Sequence, residues 1–430
     1  MLKTTLSTLL IGCCVATSPL YANSALNNSL GTFEPLQHNN IKQLALNPTS
    51  RAVYQSQHGY TVFIGYISSN GPWFSDGALR EFTYPNKKST PTIDAISLPN
   101  INNGISSSQP QLVMASVSNN TLYVAESEGK NNNSASDNAG RYALAQASID
   151  QNGIPGKLAV VAQTGEHGLP AQLTNGSDST QYGYVFWYGL IDKKPTVIFT
   201  NKAKDSDKAV FMVYQLQAET WQETGSFSAD YDYYGSTGGL LGITSPPQVI
   251  TSDKEGTKLL FSAYKTTTEQ ELLALSFSED GTPESGNIQK ITLPPQPHGD
   301  DFYSAYYEHH NKTLYVSMQK QGVYQAAFTV QTMQPSWQLV PGSTSCDPSE
   351  NNTGKSILSA APMLGNPGEG LNVIVQTDVA QFDVYQLQNG TCKPYDPSYA
   401  YLPGTLFNVG NQHYWTVDGD IYMYRPASSK

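Results

Sequence analysis

The chain has 430 residues, a formal net charge of −11 and a pI near 5.1. Phosphate backbones are held by clustered Lys and Arg, and the 24 basic residues form no cluster, so nucleic acid is excluded as a partner. Length alone allows two or three domains, but repeat-built all-β chains exceed the usual size of one domain, so the count depends on whether repeats are present.

Residues 1–22 carry one lysine, an apolar run over 6–16 and a small-residue end at Ala22. This is the pattern of an export signal cleaved after Ala22, with Ala25 as the alternative; the run is shorter than the ~20 residues that span a bilayer. Leu10-Ile11-Gly12-Cys13 has the form of a lipobox, and on that rival reading Cys13 carries a lipid anchor. No later segment has 18 apolar residues in a row, so the mature chain, 23–430, is expected to lack a transmembrane segment and to be periplasmic or secreted. Only Cys346 and Cys392 remain in it, and two cysteines in an oxidising compartment are most simply a disulfide.

Short β-branched and aromatic runs, separated by turn residues, then follow at close spacing. The first unit spans 52–99, with strands at 60–68, 78–84 and 92–98, and the second has strands beginning at Gln109, Thr121, Arg141 and Lys157. A third unit is expected at 169–174, 183–190, 209–217 and 220–227. The fourth, the clearest, has strands at 249–251, 258–264, 271–278 and 287–293, broken by Gly256, Asp280-Gly281 and Gly286. The fifth has strands from Phe302, Thr313, Gly322 and Ser336, and the sixth from Ser356, Leu371, Gln381 and Thr391. After Pro403 come three strands only, 405–409, 413–417 and 420–425.

Two identities tie the units together. Thr121-Leu122-Tyr123-Val124 recurs as Thr313-Leu314-Tyr315-Val316 in second strands, and Val213-Tyr214-Gln215-Leu216-Gln217 recurs as Val384-Tyr385-Gln386-Leu387-Gln388 in third strands, both three units apart. Four-stranded units repeated in this way predict an all-β chain folded as a single β-propeller over 23–430. Exposed strand edges invite aggregation, so the three-stranded last unit needs a fourth strand, and residues 32–36 or 41–46 are the unassigned segments able to supply it. Seven four-stranded blades, the ring closed by N- and C-terminal strands, are expected, with six or eight as alternatives. Trp187, Tyr188, Trp221 and Trp337 are expected to pack between blades.

Pro247-Gln248-Val249-Ile250-Thr251-Ser252-Asp253, followed by Gly256-Thr257-Lys258-Leu259-Leu260-Phe261-Ser262, resembles the TolB-like, WD-related propeller repeat. In that family a proline-led inner strand runs through a Ser-x-Asp-Gly-Lys turn into an apolar second strand. Here Lys254-Glu255 lengthens the turn. The resemblance covers about a tenth of the chain and implies a fold and a tendency to bind protein or small ligands; it transfers no catalytic residue.

Two polar clusters are candidate sites. His298, Asp300 and Asp301 with Glu308, His309 and His310 flank a strand, and imidazoles and carboxylates so arranged suit metal binding or acid–base work. The two halves would stand ~20 Å apart along that strand, too far for one metal, so solvated loops are the plainer reading. Asp230, Asp232 and Tyr233 lie in a second cluster that suits a sugar or calcium ion, or is simply a tyrosine-rich inter-blade loop. Ser75-Asp76-Gly77 is only a fragment of a sialidase Asp-box, and four arginines are few for the triad that grips a carboxylate. Nucleophile elbows, His-Glu-x-x-His and phosphate-cradling loops are absent. The expectation is an exported, non-enzymatic propeller, without cofactor or metal, that binds a protein or carbohydrate partner outside the cytoplasm. The alternative is a propeller glycan hydrolase or lyase with acidic loop residues at the central pocket.

Overall fold

The computed structural model describes residues 31–35, 46–56, 60–70, 73–84, 92–98, 111–128, 140–171, 173, 183–202, 208–232, 247–264, 270–284, 286–296, 302–309, 311–318, 321–346, 356–362, 371–378, 381–394, 405–409, 412–417 and 420–426. The described strands form seven sheets built of antiparallel neighbours in chain order, except that Gly31–Pro35 joins the last sheet and the short strand Gly286–Asn287 adds in parallel to the third. After β1 (Gly31–Pro35), the first sheet is β2 (Leu46–Gln55), β3 (Tyr60–Asn70), β4 (Trp73–Tyr84) and β5 (Thr92–Ile96). The second is β6 (Gln111–Ser118), β7 (Thr121–Glu128), β8 (Tyr142–Ser148) and β9 (Ala159–Gln163); the third is β10 (Tyr184–Ile191), β11 (Lys194–Lys202), β12 (Lys208–Gln217) and β13 (Thr220–Asp232). The fourth is β14 (Gln248–Ser252), β15 (Gly256–Tyr264), β16 (Gln270–Phe277) and, after the short β17 (Gly286–Asn287) that joins the third sheet, β18 (Gln289–Lys290). The fifth holds β19 (Phe302–Glu308), β20 (Thr313–Met318), β21 (Gly322–Ala327) and β22 (Gln338–Leu339), and the 3-10 turn Ser343–Cys346 follows it. The sixth is β23 (Ser356–Pro362), β24 (Leu371–Asp378), β25 (Gln381–Gln388) and β26 (Thr391–Pro394). The seventh is β27 (Thr405–Val409), β28 (Gln412–Val417) and β29 (Asp420–Pro426), with β1 as its outermost strand. Thr32 stands opposite Arg425 and Phe33 opposite Tyr424, so two segments almost 400 residues apart share one ladder.

Both faces of most sheets are covered, which is why their strands read as continuous apolar runs and not as alternation. In the fourth sheet Leu259, Phe261 and Ala263 face the third sheet, joining Phe186, Phe211 and Phe227. Their strand neighbour Leu260, with Leu272 and Ala274, faces Leu314 and Val316 of the fifth. Buried clusters also join the first sheet to the second, the second to the third and the fifth to the sixth. Strand β27 of the seventh sheet touches β23 of the sixth on one side and β3 of the first on the other. Tyr188 and Trp221 lie between sheets two and three, Trp187 between three and four, and Trp337 against the cluster between four and five. All four thus pack between units, as expected from the sequence.

Two expectations fail. Among the described residues of 169–174 there is no strand: Leu169 and Leu173 are buried in the core between sheets two and three, outside any ladder. The first strand of the third sheet is instead Tyr184–Ile191, and the second is Lys194–Lys202, which the sequence reading missed. The two are joined by Asp192-Lys193, with φ of 46° and 61°, a two-residue hairpin turn without the Asn-Gly or Asp-Gly that usually marks one. Pro195 also disguises β11 as a non-strand. Residues 287–293, read as one strand, divide: β17 pairs in parallel with β13 of the third sheet, while β18 pairs with β16 of its own.

Candidate functional site

The first strands of successive sheets touch one another: β2 meets β6, β6 meets β10, β19 meets β23, and β23 meets β27. Side chains lace them together. Ser116 Oγ donates to Tyr188 O at 2.5 Å across β6 and β10, while Gln248 on β14 donates to Ala305 O and accepts from Tyr307 N on β19, at 3.1 and 2.7 Å. These seven strands contain one carboxylate, Glu308, and one cation, Arg51; the remainder is apolar, hydroxyl or amide. Among the described residues these first strands therefore supply no pair of carboxylates, and the acidic loop residues Asp300 and Asp301 lie outside the described residues.

Glu308 belongs to the second half of the expected His/Asp/Glu cluster. It closes the β19–β20 hairpin, where its Oε2 accepts from Asn311 N at 2.6 Å and Lys312 adopts a φ of 52°. Tyr306 and Tyr315 are cross-strand partners beside it. Burial, then the charges of Glu308 and Tyr306, pushes the Tyr315 phenol up to about 12; burial first and Glu308 second also raise Tyr307. The carboxylate therefore lies within electrostatic reach of two phenols. Exposed His309 stands edge-on to Tyr307 at 4.9 Å. Half-buried Tyr306, Glu308 and Tyr315 offer aromatic faces, phenol donors and a carboxylate acceptor, the groups that recognise hydroxyl-rich or peptide ligands. The other half of that cluster, His298, Asp300 and Asp301, and also His310, lies outside the described residues.

Asp230 and Asp232, read from sequence as loop residues, are in strand: β13 continues to Asp232, whose register partner is Lys208 on β12. The ladder jumps register after Val210–Ser228, carrying 229–231 as extra residues, and pairing resumes at Lys208–Asp232, which keeps this segment in strand. Tyr233 lies outside the described residues. No group of three or more His, Cys, Asp or Glu among the described residues is placed to hold a metal. Ser75-Asp76-Gly77 falls inside β4, not in a turn, and of the four arginines Arg51 and Arg80 lie on the first sheet, Arg141 just before β8 and Arg425 on the seventh.

The least expected polar group is Lys258, 1% exposed on β15. Its Nζ donates to Thr332 O at 2.9 Å, lies 3.4 Å from Met333 Sδ and sits 5.5 Å above the Phe328 ring. It thereby pins the loop after β21 onto the neighbouring fourth sheet. Burial pulls the amine down from 10.5 to about 8, with the charge of Glu284 opposing. The folded chain then binds fewer protons at this site than the unfolded chain between about pH 8 and 10.5, so stability from this residue rises across that window. Melting curves of the wild type and of Lys258→Met should converge or cross there, the wild type gaining relative to the variant as pH rises. A pH-independent difference contradicts the assignment.

No family model matches the chain, and no curated protein matches it. Similar solved structures include Sqt1 of Chaetomium thermophilum, 11% identical, with a TM-score of 0.43 over 94% of this chain and 99% of that one. The Trypanosoma rangeli sialidase in complex with sialic acid is 9% identical, with a TM-score of 0.43 over 93% of this chain and 57% of that one. An α-L-arabinofuranosidase from Lactobacillus brevis is 12% identical, with a TM-score of 0.40 over 67% and 86%. None of their activities carries over at such distance, and the TolB-like resemblance rests on its motif; what is established for this chain is an all-β architecture of successive antiparallel sheets, consistent with a propeller.

Proposed function

We propose that the chain is an exported, non-enzymatic β-propeller of seven blades, its ring completed by β1 on β29, that binds a protein or carbohydrate partner in the periplasm or outside the cell. Residues 1–22 are the leader, and a lipid on Cys13 is the less favoured way of retaining it. The observation that supports binding over catalysis is the make-up of the first strands: one carboxylate among seven, already engaged by a backbone amide of its own hairpin. The Tyr306, Glu308 and Tyr315 hairpin is the surface offered to the ligand.

The test is a screen of purified 23–430 against immobilised polysaccharides and envelope proteins, run alongside an assay for new reducing ends or unsaturated products. Saturable binding without product is expected, weakened about tenfold by Glu308→Gln, which keeps an acceptor for Asn311 but removes the charge. Turnover of a glycan would overturn the reading.

A further inference from the structure

A sheet edge with open backbone groups invites another strand, and folded proteins guard such edges with charge, proline, shortness or a covering segment. Six of the seven outer strands here carry such a guard. Strand β5 has Asp94, β13 is covered by β17, β18 and β22 are two residues long, β26 has Lys393 and Pro394, and β1 has Glu34 and Pro35. The exception is β9, Ala159-Val160-Val161-Ala162-Gln163, with neither charge nor proline, a single bulge as its one guard and, among the described residues, no strand on its outer side. Val160 and Val161 are 39% and 40% exposed, and with Ile154 they make up three of the four exposed large apolar side chains among the described residues. A register shift against β8 leaves Val161 as the extra residue, so that both valines reach solvent.

We propose that β9 is a homodimer interface, pairing antiparallel with β9 of a second copy to join two four-stranded sheets into one of eight. The sequence is self-complementary for this operation: Ala-Val-Val-Ala reads the same in both directions, so a two-fold axis between Val160 and Val161 sets Ala against Ala and Val against Val. The same axis carries exposed Lys157 of one protomer toward the end of the strand where exposed Glu166 of its partner lies, so the flanking charges are complementary. Glu166 Oε2 accepts from Gln163 N at 3.0 Å within its own chain, which confines the new ladder to the four residues before Gln163.

Sedimentation velocity on purified 23–430 over a concentration series tests the pairing. A reversible dimer is expected, weakened at least ~tenfold by Val161→Lys, with Leu339→Lys, at the exposed leucine on β22, as a control that leaves it intact. Val160→Glu serves as a second variant should the first fail to melt like the wild type. A wild type that stays monomeric at its solubility limit overturns the proposal, as does a dimer that survives both β9 substitutions.

Discussion

Replacing Phe261 by alanine should lower the unfolding free energy by about 3–5 kcal/mol, the range for truncating a fully buried aromatic side chain. Phe261 is 0% exposed, and its ring lies 4.9 Å from Phe186 and 5.5 Å from Phe211, both on the third sheet. A register shift between Val185 and Trp187 turns Phe186 and Trp187 to the same side, which thickens this interface. The cavity would open between two sheets held to each other by these rings, with little room for collapse because Leu259 and Leu275 are fully buried there too. Phe261→Leu should cost less, below about 2 kcal/mol, since most of the volume is kept. Urea denaturation of the two variants checks both values, and equal losses would show that ring packing across the interface contributes nothing beyond hydrophobicity.

Cys392→Ser should destabilise the oxidised protein by about 3–4 kcal/mol on the chain-entropy estimate for a loop of this length, and should leave the reduced protein unchanged. The Cys346–Cys392 disulfide closes a separation of 46 residues with Cα atoms 5.0 Å apart and ties the 3-10 turn after β22 to β26. The corresponding place three sheets earlier shows what it replaces. There Trp221 N donates to His167 O at 2.7 Å and Gly168 lies against Trp221 O; here Cys392 N donates to Ser345 Oγ at 3.2 Å and Gly342 lies against Gly390 O. The recurrent Val-Tyr-Gln-Leu-Gln is followed, after two intervening residues, by Thr220-Trp221 in one copy and Thr391-Cys392 in the other. A buried indole in one half of the chain and a covalent bond in the other hold equivalent turns. Melting curves with and without dithiol check this, and coincident oxidised curves for wild type and variant would contradict it.

The strands of sheets one, two, five and six were legible because their runs are bounded by turns of ordinary composition, and the disulfide because Cys346 and Cys392 are the only two cysteines beyond residue 22. The Val-Tyr-Gln-Leu-Gln and Thr-Leu-Tyr-Val identities fall in equivalent strands, which is where the repeat could be recognised. Strand β11 was hidden by a turn whose left-handed residues are Asp and Lys and by a proline at its start; left-handed lysine leaves no compositional trace. The division of β17 from β18 was invisible because two-residue ladders depend on which neighbouring edge lies within reach. Of the candidate site, Glu308 was legible only as a member of the imidazole and carboxylate cluster around this strand, and its aromatic neighbours Tyr306 and Tyr315 were not. Lys258 was not: a lysine beside two leucines looks solvated until the loop carrying Thr332, 74 residues on, is folded over it.

The proposed closure turns on the ladder between β1 and β29. Thr32→Cys combined with Arg425→Cys places thiols on register partners, and mass spectrometry of the oxidised, digested monomer reads whether they are joined. The account predicts a near-quantitative intramolecular crosslink between β1 and β29 in the folded protein and none in denaturant. Two thiols that remain open to alkylation in the native monomer would contradict it.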